Sequence, residues 1–171
     1  NRSLDNYPTH IPAQLTHSPG MEFIFLHLML LSGNDHWVNL PQWLGLLLTL
    51  CAVSLIFKHF GADRKKQLFS VLLTAAIPTL ILQGSSAKND LLSTAWIAAA
   101  VVFLLNLKTP FCVRDICLFA GALGLAVLVK ATAVFFVLPL LFLPLSSRPF
   151  ERTCSSIMFV VLTLSGILIL N

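Results

Sequence analysis

The chain has 171 residues, 57% of them hydrophobic and only 11% charged, with a net charge of +4 and a mean hydropathy of +0.86. Soluble domains carry about a quarter charged residues, so a deficit spread over the whole length excludes an ordinary soluble domain and points to a polytopic membrane protein. Nor does the positive balance describe a nucleic-acid surface, because the basic residues fall in the short gaps between apolar runs.

Residues 1–20 are polar and hold Pro8, Pro12, Pro19 and Gly20 together with Asp5, Tyr7, His10 and His17. Each proline disfavours helix at the residue before it, so this segment reads as loop. The run 21–32, MEFIFLHLMLLS, is too short to span a bilayer. It is expected at the interface, with Glu22 in its first turn, where the helix dipole favours a carboxylate. His27 reads as a packed histidine on an apolar face. Gly33, Asn34 and Asp35 end the run.

The first spanning segment is expected over 39–59. Asn39 reads as its N-cap, and Pro41 sits early, where a missing N–H does little harm. Trp37 and Trp43 read as interfacial anchors. Asp35, His36 and Gln42 read as solvated interface residues. Lys58, Arg64, Lys65 and Lys66 make the gap after this span the most basic in the chain. By the positive-inside rule it is cytoplasmic, which places residues 1–38 outside.

A second span over 68–82 then runs outward, with Pro78 near its outer end, and the polar segment 83–90, QGSSAKND, is external. A third span, 91–107, returns inward to Lys108. The apolar block 116–145 is interrupted only by Lys130 and is far longer than the ~20 residues one crossing needs. It reads as two helices, 116–129 and 131–145, hinged around Lys130, with Gly121 and Gly124 allowing close packing. Residues 155–170 begin another span. Eight of the eleven basic residues (Lys58, Arg64, Lys65, Lys66, Lys108, Arg114, Arg148, Arg152) then lie inside, and Arg2, Lys88 and Lys130 lie outside.

The expected fold is therefore all-α. It is a polytopic membrane helical bundle of about six transmembrane helices plus one external juxtamembrane helix, a single membrane domain over 1–171. The expected location is a plasma membrane, a bacterial inner membrane, with residues 1–38 extracytoplasmic. Both ends look cut, as in a piece of a longer protein. Cys51, Cys112, Cys117 and Cys154 have no zinc-site spacing and read as packing residues.

Three groups carry possible chemistry. Lys130, in an apolar block, either faces a cavity and binds an anion or snorkels to the interface. Asp90, with Asn89 and Lys88, either caps the third span or faces a site. His10, His17 and Glu22 hold metal-ligating atom types, His17 and Glu22 being the metal candidates, but at no compact ligand spacing. Substrate contact is assigned to Lys130, Asp90, His17, Lys88 and His10.

Four features occur in order. A loop has Tyr7, Pro8 and His17-Ser18-Pro19, followed by an apolar helix ending in Leu31-Ser32-Gly33. Asn39-Leu40-Pro41 opens one spanning helix, and Asn89-Asp90 with Trp96 opens another. Finally Gly124 to Thr132, GLAVLVKAT, precedes an apolar run with Pro139. This resembles the GT-C membrane glycosyltransferases, in particular the group of protein mannosyltransferases and lipid A aminoarabinose transferases. The resemblance implies transfer of a sugar from a polyprenyl-phosphate donor to a glycan, lipid or protein acceptor on the extracytoplasmic face, among membrane lipids and without nucleic acid.

The family's catalytic acid follows its first membrane helix, so the resemblance implies an acid ahead of Asn1 and a fragment inactive by itself. Asp5 is the only local substitute and is not assigned the role. His17 falls near a family position for metal or phosphate, often Glu or Lys there, which leaves a divalent metal ion as an open expectation. Lys130 and Asp90 match family positions at the outer ends of helices, and a cation at Lys130 suits a lipid-linked phosphate. The competing classes are a transporter or lipid flippase, with Lys130 and Asp90 as substrate or proton sites, and a non-catalytic membrane scaffold. An inverted repeat would favour a transporter, and none is visible.

Overall fold

The computed structural model describes residues 10, 20–107 and 112–146, with side chains as far as residue 141. His17, Asp5, Tyr7, Lys108, Arg148, Arg152, Cys154 and the expected span 155–170 lie outside the described residues. The elements among the described residues are all helices: α1 (Gly20–Ser32), α2 (Leu40–His59), α3 (Arg64–Ala75), α4 (Pro78–Gly84), α5 (Asp90–Asn106), α6 (Val113–Val129), a 3-10 turn (Ala131–Ala133) and α7 (Val134–Ser146).

Among these, α2 is the one continuous helix long and apolar enough to cross a membrane. Its 20 residues reach about 30 Å, the thickness of a hydrocarbon core. The second span expected over 68–82 is not a single rod. α3 and α4 meet at a 70° bend. Pro78 opens α4 and holds Ile77 extended at ψ 117°, as the residue before proline must be. α3 begins on Asp63, whose side chain accepts from the Lys66 backbone N–H at 3.0 Å.

The principal core lies between α5, α6 and α7. Ala100, Phe119, Leu123, Ala126 and Val137 are buried there, with Trp96 and Phe103 packed against them. Alanines on both α5 and α6 bring the backbones close, the usual solution for helices packing in lipid. A second, smaller cluster of Met21, Leu92 and Val129 docks α1 against the top of the α5–α6 pair.

Gly124 is buried in α6 as expected, and close approaches are also made by glycines on other helices. A Cβ on Gly45 of α2 would come within 2.7 Å of the Leu92 backbone nitrogen, and one on Gly20 within 2.5 Å of the Leu128 carbonyl oxygen. A Cβ on Gly121, by contrast, would meet nothing within 4 Å, so Gly121 makes no close packing contact. It lies on a face of α6 that no described helix covers.

Three further expectations are corrected. Cys51, Cys112 and Cys117 are exposed rather than packed, because they lie on helix faces turned away from the bundle. His27 is exposed too, its Nδ1 2.8 Å from the Phe23 carbonyl on its own helix. Asn39 occupies the N-cap position of α2, but its side chain makes no capping bond.

Candidate functional site

Four helix ends meet on one side of the bundle: the start of α1 at Gly20, the start of α2 at Gln42, the start of α5 at Asp90 and the end of α6 at Val129. The basic end of α2, with Lys58 and His59 in its last turn, lies at the opposite end of that helix. The side chosen by the charge pattern as external is thus the side where polar side chains converge.

At the centre is an ion pair between Lys130 Nζ and Asp90 Oδ1, the one ion pair among the described residues. The two side chains are 37% and 25% exposed, so the pair lies at a mouth rather than in the core. α5 and α6 run antiparallel here. Asp90 occupies the first turn of α5 and Lys130 the C-cap of α6. Each charge therefore sits at the helix end whose dipole favours it, an effect worth about 0.3–1 kcal/mol per charge near a surface.

Polar residues one turn apart on α5 hold the end of α6 beside this pair. Asn89 Nδ2 donates to the Val129 carbonyl at 3.4 Å, and Ser93 Oγ donates to the Ala126 carbonyl at 3.2 Å. Helix ends leave unsatisfied carbonyls, and here a neighbouring helix supplies the donors. Asn89 sits at the N-cap position of α5 without capping it, so capping by the Asn89–Asp90 pair is replaced by contact with α6.

The cap of α5 comes from another helix. Gln42 Oε1 accepts from the backbone N–H groups of Leu91 at 3.0 Å and Leu92 at 3.1 Å. Gln42 is 0% exposed, which overturns its reading as a solvated interface residue. A glutamine just after Pro41 turns inward because it meets two orphan donors 49 and 50 residues away. Nothing local in the sequence reveals that partnership. Its polarity in an otherwise apolar helix start was the only available signal. The amide orientation is fixed, since the reverse flip would set an NH2 against two N–H donors. In this orientation Gln42 Nε2 is buried with no partner among the described residues.

An apolar cleft of about 390 Å³ lies between α1, α2, α5 and α6, and neither Lys130 nor Asp90 lines it. Gly20, Leu28, Leu44, Leu92, Trp96 and Val129 help to line it. Val129 adjoins Lys130 in sequence, and Leu92 is two residues beyond Asp90, so the cleft shares α5 and α6 with the pair.

Among the described residues, Lys88, His10 and Glu22 form no ion pair with Lys130 or Asp90. Lys88 is exposed on the turn leading to Asp90, His10 is exposed, and Glu22 is exposed on α1. His17 lies outside the described residues. Among the described residues no three His, Cys, Asp or Glu side chains come together as a metal site.

A family model described as dolichyl-phosphate-mannose-protein mannosyltransferase matches residues 16–171. No curated protein and no solved structure gave a match.

Proposed function

The chain belongs to the dolichyl-phosphate-mannose-protein mannosyltransferase family, and on that premise we propose that it serves transfer of a sugar from a polyprenyl-phosphate carrier to an acceptor on the extracytoplasmic face. Membership makes it a mannosyltransferase-like glycosyltransferase and an integral membrane protein. The observation that carries the finer reading is the partly exposed Lys130–Asp90 pair on α5 and α6, helices that also wall an apolar cleft. A polyprenyl phosphate has the matching form, an anionic head on a hydrocarbon chain. The cleft volume lies within the ~300–1,000 Å³ common for small-molecule sites.

In such a transfer the bond between the anomeric carbon and the carrier phosphate oxygen breaks while an acceptor oxygen bonds to that carbon. The acceptor gives up a proton, and the carrier phosphate leaves with one more negative charge. Lys130 is the group on this chain placed to offset it. Its ammonium has three donors, and Asp90 engages one oxygen's worth of them, so N–H groups remain for phosphate oxygens. Asp90 fixes the ammonium without burying it. Fixed cationic donors aimed at developing charge supply a large part of transferase catalysis. His17, His10 and Lys88 are further substrate contacts in this reading, and His17 and Glu22 remain the candidates for a divalent ion. The external assignment of this end rests on the distribution of Lys and Arg.

The test is incorporation of labelled mannose from polyprenyl-phosphate mannose by the full-length protein in membranes. Lys130→Ala is expected to lower turnover by about 100-fold or more, the scale seen when one charge-stabilising donor is removed. Turnover equal to wild type, in protein shown to be folded, removes Lys130 from the site.

A further inference from the structure

Gln42 is the least expected polar group in the bundle: fully buried, on a different helix from the ion pair, and bonded to the two residues that follow Asp90. We propose that Gln42 is a positioning residue that sets the Asp90 carboxylate against Lys130. This rests on the reading of Lys130 as the phosphate-binding cation.

On the side facing α2, Gln42 is what holds the backbone beside Asp90. Asp90 is the first residue of α5, so its own N–H lacks an intrahelical partner and its backbone is prone to fray. The usual local remedy is absent, because Asn89 makes no cap bond and turns to Val129 instead. Gln42 Oε1 takes the next two N–H groups, from Leu91 and Leu92. That fixes the first turn of α5 to α2, and Gly45, one turn along from Gln42, lets the two backbones touch at the same point. The first turn of α5 is thus gripped on two sides. Gln42 holds it to α2, while Asn89, Asp90 and Ser93 hold it to α6.

The unpartnered Nε2 supports a selective role for the amide oxygen. A buried donor left unpaired is unfavourable, yet it is retained here with the oxygen that caps α5. Glutamate at this position keeps an acceptor oxygen in nearly the same shape, and its second oxygen takes the place of the unpaired amine. Leucine keeps approximate bulk and removes the acceptor.

The test uses the full-length protein in membranes and the initial rate of labelled mannose incorporation at saturating polyprenyl-phosphate mannose. Gln42→Leu and Asp90→Asn are each expected to lower the rate about ten-fold, since small misplacements of a reacting group have effects of that order or greater. Gln42→Glu, which keeps the acceptor oxygen but buries an ionisable group, is expected to lower the rate less than Gln42→Leu. Combined with Asp90→Asn, Gln42→Leu is expected to add little, because both act through one group. Should Gln42→Leu fail to accumulate, Gly45→Ala opens the same contact and enters the same cycle.

A full further loss in the Asp90→Asn background makes Gln42 a general packing residue and overturns the proposal. So does a Gln42→Glu protein as impaired as Gln42→Leu. Full activity in both Lys130→Ala and Asp90→Asn sinks the phosphate reading instead, whatever Gln42 does.

Discussion

Replacing Gly45 by alanine offers a direct measure of how the α2–α5 contact is held. The new Cβ would stand 2.7 Å from the Leu92 nitrogen, 2.8 Å from the Leu91 carbonyl carbon and 2.9 Å from the Leu92 Cα. All three are backbone atoms, so no side chain can swing aside. Relieving the closest approach to the 3.4 Å where ordinary contact begins separates the helices locally by about 0.7 Å. The Gln42 bonds, now 3.0 and 3.1 Å, then pass beyond useful hydrogen-bond length. Overpacking costs ~1–3 kcal/mol and two lost bonds ~1 kcal/mol each, while alanine regains ~1 kcal/mol in helix preference, a net loss of ~2–4 kcal/mol. Gly121→Ala is the internal control. Its Cβ enters open space, so it should raise stability by up to ~1 kcal/mol. Thermal unfolding of the full-length protein in detergent should therefore move in opposite directions for the two alanines. If Gly45→Ala melts at or above the temperature of Gly121→Ala, the close backbone contact is refuted.

The remaining predictions concern local architecture. Pro78→Ala should relax the 70° bend between α3 and α4, lengthening the distance between spin labels near residues 64 and 84 by about 5 Å, given ~1.5 Å of rise per residue; an unchanged distance would show that tertiary packing, not proline, sets the bend. Asp63→Ala removes the carboxylate that accepts from Lys66 N–H. It should destabilise the start of α3 by ~0.5–2 kcal/mol, read as faster amide exchange there than in α5.

Charged residues were the most legible part of this chain. Lys130 interrupts an apolar block too long for one helix, and the structure breaks the helix there, with α6 ending at Val129. Asp90 stood out as the acidic residue opening an apolar helix, and it is the partner of Lys130. A charge in apolar surroundings is costly enough that its sequence position alone demands an explanation. Neutral groups carry no such penalty, and they are where the sequence reading failed. Gln42 looked like a surface residue because its partners, Leu91 and Leu92, are brought to it only by the α2–α5 packing. Gly45 and Gly121 are indistinguishable by residue type, yet one meets backbone at once and the other meets nothing. The direction a helical residue faces depends on a neighbour that periodicity cannot name when the helix is apolar all round. The Pro78 break was visible in principle, since Ile77 precedes a proline, but the continuous hydropathy of the segment outweighed it.

The Lys130–Asp90 contact joins residues 40 positions apart, and that interval has a meaning in time as well as space. Ribosomes add about 5–20 residues per second, so Asp90 is made some seconds before its counter-ion exists. Over that interval the carboxylate is anchored by water at the membrane surface, because entry into hydrocarbon alone is unfavourable. Its hydration keeps the start of α5 from sinking. When α6 is completed, Lys130 arrives beside Asp90, and the pair closes a hairpin between the start of α5 and the end of α6. The order of synthesis thus makes Lys130 the later partner, and its arrival levels the start of α5 with the end of α6.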